Sequence, residues 1–132
     1  MLENVKVLVD SNTLQKRIGE IADQISADYN NEDITLICVL NGAVYFAIDL
    51  SKKIKNSDVI MDFVKVSSYG INQRESTGVI NFKLDISENI ENKNVIIVED
   101  IIDSGNTLDY LYNYLKQKNP KSLKICVLLD KK

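Results

Sequence analysis

Three carboxylates, Glu99, Asp100 and Asp103, fall within NVIIVEDIIDSGNTLDYL (residues 94–111), between an apolar run and the mouth of a helix. Carboxylates repel phosphate, whereas small polar residues leading into a helix attract it, because the first helical amides lack internal partners. Asp103-Ser104-Gly105-Asn106-Thr107 has the second character: Gly105 permits tight turning, and Ser104 and Thr107 supply hydroxyls. Glu99 and Asp100 are adjacent, so a persisting strand sends them to opposite faces and gives them separate tasks. A ligand with two ends reconciles the charges. A phosphate monoester would sit in the loop, while sugar hydroxyls or a hydrated divalent cation would face Glu99 and Asp100.

An Asp-x-Gly loop before a helix is, on its own, ordinary turn chemistry. The complete string is rarer: four apolar residues, Glu-Asp, two apolar residues, Asp-Ser-Gly-x-Thr and an amphipathic helix. It favours a functional reading. Composition narrows the chemistry further. The chain has no histidine, which removes His-based acid–base catalysis, Ser-His and Cys-His nucleophile pairs and His-ligated zinc. A net charge of −3 leaves no basic excess for binding nucleic acid through its phosphates. Cys38 and Cys126 lie far apart inside apolar runs and read as small buried hydrophobes in a reducing, cytoplasmic setting. The N-terminus MLENVKVLVD lacks the pattern of a signal peptide, and the longest apolar run, ITLICVL, is too short for a membrane span.

The 132 residues suit one domain. Val5, Val7, Leu8 and Val9 suggest a short strand or extended arm. Leu14, Ile18, Ile21, Ala22, Ile25 and Tyr29 recur in steps that mark one buried helix face, with Ser11, Asn12 and Thr13 as cap candidates. ITLICVL (34–40) reads as a strand covered on both faces, and AVYFAIDLSKKI (43–54) as a helix with a broad apolar face. VIMDFVKV (59–66), VINFKL (79–84), NVIIV (94–98) and SLKICVLLD (122–130) read as further strands, and Leu108, Leu111, Tyr112 and Leu115 mark another helix. The polar stretch SSYGINQRESTG (67–78) reads as a mobile loop. The order predicts an α/β fold with a mainly parallel central sheet flanked by helices. In such sheets, ligands bind beyond the carboxyl ends of the strands.

VIIVEDIIDSGNTL resembles the motif with which type I phosphoribosyltransferases bind 5-phosphoribosyl-1-pyrophosphate (PRPP), in the form typical of the hypoxanthine-guanine branch. Three more segments resemble that branch in the expected order: VLNGAVYFAIDL (39–50), DFVKVSSYG (62–70) and ESTGVINFKLDI (75–86). The resemblance implies purine salvage, in which the phosphoribosyl group of PRPP passes to hypoxanthine or guanine to give IMP or GMP and pyrophosphate. It implies Asp103 as general base or acid at the purine, with Glu99 and Asp100 facing the ribose hydroxyls and the water shell of Mg2+. Residues 103 to 107 would grip the 5′-phosphate. Leu40, Asn41 and Gly42 would bind pyrophosphate in a turn with a cis peptide before its middle residue. Many family members carry Lys at that middle position, so Asn41 would leave the task to backbone amides. Ser68 and Tyr69 would ride a flexible loop that closes over the site. Family members are commonly homo-dimers or tetramers.

By the same resemblance, the family continues past SLKICVLLD with a lysine that reads the purine oxygen, an aromatic that stacks on the base and an Asp for a second magnesium. The chain is therefore expected to be a single phosphoribosyltransferase-like domain over residues 1–132, shortened at its C-terminus. Three alternatives stay open: a PRPP- or nucleotide-binding module without turnover, an inactive fragment, and a structural role in which the exposed sheet edge recruits another chain and the site is a relic.

Overall fold

The computed structural model describes residues 11–67, 81–102 and 106–130. The elements are α1 (Ser11–Asp28), β1 (Ile34–Val39), α2 (Val44–Lys53), β2 (Val59–Ser67), β3 (Asn81–Leu84), β4 (Asn94–Ile102), α3 (Asn106–Lys116) and β5 (Ser122–Asp130). One five-stranded sheet has the order β3-β2-β1-β4-β5. β1, β2, β4 and β5 run parallel, and β3 returns antiparallel to β2 at one edge. The expected α/β architecture with a mainly parallel sheet is thus the one observed. The arm expected at residues 5–9 and most of the loop at 67–78 lie outside the described residues.

Every residue of β1 is buried, as a continuous β-branched and apolar run requires of a central strand with helices on both faces. Alternation divides its side chains between two cores. Ile34, Leu36 and Cys38 join Ile18, Ala22 and Ile25 of α1, Phe46, Ala47 and Leu50 of α2, and Ile96 and Val98 of β4. Ile37 and Val39 join Val95 and Ile97 of β4 and Leu108, Leu111 and Leu115 of α3. The helix periodicities in the sequence are the lines of contact on these two faces. The apolar face of α2 is narrower than the sequence suggested, because Tyr45 is 82% exposed and Ile48 is also exposed. Cys38 is buried as expected, but Cys126 is only half-buried because β5 lies at the sheet edge.

Each parallel strand is entered from a turn containing an asparagine with positive φ: Asn31, Asn56, Asn92 and Asn119. Asparagine tolerates this left-handed region better than most residues. The turns also bond to one another, with the Asn31 N–H donating to the Asn56 carbonyl at 2.8 Å and the Asn92 N–H to the Asn119 carbonyl at 2.9 Å. Side chains close the same end. Asn94 donates to Glu32 at 2.9 Å, Lys121 pairs with Glu32 at 3.0 Å and the Ser122 hydroxyl donates to Asn94 at 2.9 Å.

Asp62 of β2 is a buried carboxylate that sequence reading did not single out. It accepts the backbone N–H groups of Ser87 and Glu88, each at 2.9 Å, and thereby ties the segment after β3 to the centre of β2. Removing a buried acceptor that serves two backbone amides costs about 1–3 kcal/mol. Asp62→Ala is therefore expected to lower the urea unfolding midpoint accordingly, whereas Asp85→Ala, at an exposed carboxylate nearby, is expected to move it much less.

Candidate active site

The paired strands β1 and β4 deliver two chain segments to one end of the sheet. Their ladder ends at the pair Cys38↔Val98, beyond which β4 continues through Glu99 and Asp100 to Ile102. The strand is therefore longer than NVIIV, and both carboxylates stand on it rather than after it. β5 supports this extension, with Glu99 opposite Val127. β1 instead ends at Val39. The Leu40 N–H donates to the Val64 carbonyl at 2.8 Å, and the chain then turns through Asn41 and Gly42 into α2. The Leu40–Asn41 peptide bond is cis, as the resemblance implied for this turn. Asn41 and Gly42 are exposed, and the first turn of α2 has no side-chain cap.

The turn and the carboxylates touch. A Cβ built on Gly42 would lie 2.7 Å from Asp100 Oδ2 and 3.2 Å from both Cγ and Oδ1 of the same carboxylate. Strand alternation accounts for this approach. Asp100 follows Ile96 and Val98, which face α1 and α2, so its carboxylate stands at the foot of α2. Glu99 belongs to the opposite register, yet its side chain bends back so that Oε1 accepts the Asp100 N–H at 3.0 Å. The two carboxyl groups therefore lie side by side although the strand sends them apart.

Burial, followed by the neighbouring Asp100 carboxyl group, raises the Glu99 pKa to about 7. Cys38 lies in the same neighbourhood. Burial, together with the charges of Glu99 and Asp100, pushes its thiol up to about 11, so it remains a neutral packing group at physiological pH. Its place under the carboxylates was readable from alternation, since Cys38 pairs with Val98 two residues before Asp100.

Thr107 is half-buried in the first turn of α3, which is anchored by the buried Leu108. Asp103, Ser104, Gly105, the side chain of Asn106, Ser68 and Tyr69 lie outside the described residues. The structure thus brings Leu40, Asn41 and Gly42 together with Glu99 and Asp100.

Among the described residues, no group of three or more Asp, Glu, Cys or His side chains could enclose a metal ion. Magnesium does not need such a cage. It keeps several waters and binds through one or two carboxylates and ligand phosphates. A hard divalent cation at Glu99 and Asp100 fits that donor chemistry, and its positive charge would offset the burial and the neighbouring carboxyl group that raise the Glu99 pKa.

Glu99 also makes a prediction about pH. Its ordinary pKa is 4.5 and its folded value is about 7, so between these limits the folded chain holds the extra proton. Stability is then expected to fall as pH rises from about 4.5 to 7. Glu99→Gln is expected to flatten this slope in urea unfolding measured at successive pH values. An unchanged slope would remove the assignment of the proton to Glu99.

Residues 4–132 match the phosphoribosyl transferase domain family. The hypoxanthine phosphoribosyltransferase of Buchnera aphidicola is 45% identical over 133 residues, covering 99% of this chain and 74% of that protein. A bifunctional protein of Listeria innocua is 41% identical over 126 residues, covering 96% of this chain but 19% of its own length. A crystal structure of a hypoxanthine-guanine phosphoribosyltransferase from Bacillus anthracis superimposes with a TM-score of 0.88 at 50% identity, covering 95% of this chain and 73% of that one. With its mainly parallel sheet, its cis turn and its paired carboxylates at one strand end, the chain belongs to the phosphoribosyl transferase domain family.

Proposed function

We propose that the chain binds PRPP with Mg2+ and transfers its phosphoribosyl group to hypoxanthine or guanine, forming IMP or GMP and pyrophosphate. One observation carries this reading beyond family membership. The Leu40-Asn41-Gly42 turn and the Asp100 carboxylate meet at the strand ends, which sets a turn suited to pyrophosphate directly beside a hydroxyl- or cation-binding pair. A ligand carrying a diphosphate on a polyhydroxyl ring engages both.

In this reading, the exposed turn and the uncapped start of α2 offer backbone N–H groups to the pyrophosphate, since Asn41 brings no charge. Glu99 and Asp100 orient the ribose hydroxyls and the cation's water shell. Residues 103 to 107 hold the 5′-phosphate, and Ser68 and Tyr69 exclude water from the reacting centre. The bond from the ribose anomeric carbon to the pyrophosphate oxygen breaks while a bond from the same carbon to the purine imidazole nitrogen forms. Asp103 takes the proton that this nitrogen loses. When bound, Mg2+ neutralises charge on the departing pyrophosphate. The protein works in the cytoplasm as a homo-oligomer. No helix among the described residues is long and apolar enough to cross a membrane.

The test is nucleotide formation by the 132-residue chain from PRPP, Mg2+ and, separately, hypoxanthine, guanine and xanthine. Turnover is expected with hypoxanthine or guanine. Asp103→Asn is expected to lower kcat by about 10²–10⁴-fold, the contribution of a positioned general base, while PRPP binding measured by calorimetry is kept. PRPP binding without turnover would instead identify a binding module. No binding in the presence of Mg2+ would remove the reading.

A further inference from the structure

Gly42 and Gly19 differ in a way that conformational preference does not explain. Neither has a positive φ, so neither needs glycine to reach a left-handed backbone conformation. Gly19 has open space where a Cβ would stand, and alanine would fit there. At Gly42 the corresponding space is already taken by the three carboxyl atoms of Asp100, at 2.7 and 3.2 Å. The obstacle is therefore one named side chain reached across the crevice, not the local backbone.

The geometry points to Gly42 as a positioning residue whose missing side chain admits the Asp100 carboxylate, so that the Leu40-Asn41-Gly42 turn and the Glu99–Asp100 pair are set as one rigid unit. The consequence for ligand binding rests on the function proposed above. A methyl group at position 42 must displace either the turn or the carboxylate. The carboxylate is the softer of the two, because the turn is fixed by the Leu40 N–H bond to Val64 and by the buried Ala43, Phe46 and Ala47 that follow it. Asp100 in turn sits beside Glu99, which accepts its N–H, so a displaced Asp100 disturbs both carboxylates. The effect expected is a loss of cation-dependent binding, although position 42 itself carries no ligating atom beyond its backbone.

Other roles for the glycine give different results. If glycine were needed so that a ligand could approach the backbone, alanine would harm binding whatever stood at position 100. If it were needed for folding alone, the magnesium requirement would not move.

A double-mutant cycle of Gly42→Ala and Asp100→Ala separates these cases, with Gly19→Ala as a control. Urea unfolding without ligand is measured first, followed by PRPP binding by calorimetry over a range of Mg2+ concentrations. Gly42→Ala is expected to lower the unfolding midpoint and to raise the half-saturating Mg2+ concentration for PRPP binding by about tenfold. In the Asp100→Ala background, which lacks the atoms that the new methyl meets, the same change is expected to leave the unfolding midpoint nearly unmoved. Equal losses in both backgrounds, or no loss in either, would overturn the proposal. A chain that binds no PRPP would count against the proposed function instead, and the ligand-free cycle would still decide whether Gly42 acts through Asp100.

Discussion

The β1–β4 ladder is the constraint on which the rest depends. Its pairs run from Ile34↔Asn94 to Cys38↔Val98, and its side chains fill the cores on both sides of the sheet. Shifting β4 by one residue would exchange its two sets of side chains between faces and leave Asp100 pointing away from α2. The same register that packs Ile96 and Val98 beneath α2 thus sets the carboxylate against the turn. Core packing and site geometry are consequences of a single alignment, and the strand exit that follows β1 is where its ordered packing meets solvent.

Much of this was legible in the sequence, for definite reasons. ITLICVL reads as a doubly covered strand because nothing charged interrupts its β-branched and apolar run, and α1 and α3 announce themselves through apolar steps of three and four. The strand that begins with NVIIV runs further than its apolar residues indicate. Glu99 and Asp100 look like a strand terminus by polarity, but β5 continues to pair with this segment as far as Ile102. The alternation rule placed the two carboxylates on opposite faces and missed that a Glu side chain is long enough to fold back onto the next residue's N–H. Asp62 escaped notice because a lone carboxylate in VIMDFVKV gives no sign of its partners, Ser87 and Glu88, which lie beyond β3. Such contacts follow from topology, and periodicity does not encode them.

Two buried or half-buried acids therefore have opposite characters. Asp62 is surrounded by donors and serves the architecture, whereas Glu99 faces another acid and lacks comparable compensation. An acid left under-compensated in a crevice is poised for an incoming cation or hydroxyl group, which is why the second kind marks a binding site more reliably than the first.

The four asparagines beneath the sheet have a consequence of another order. Asn31, Asn56, Asn92 and Asn119 each reverse the chain at the pole opposite the crevice, and their backbones are bonded in neighbouring pairs. What these places demand is a backbone shape, which glycine or aspartate can also supply. The crevice end demands particular functional groups at particular spacings. Over long divergence, the two poles should therefore drift under different grammars: a small interchangeable alphabet below, and fixed words above. A remote descendant of this fold would keep its chemistry recognisable at one end while spelling the other anew.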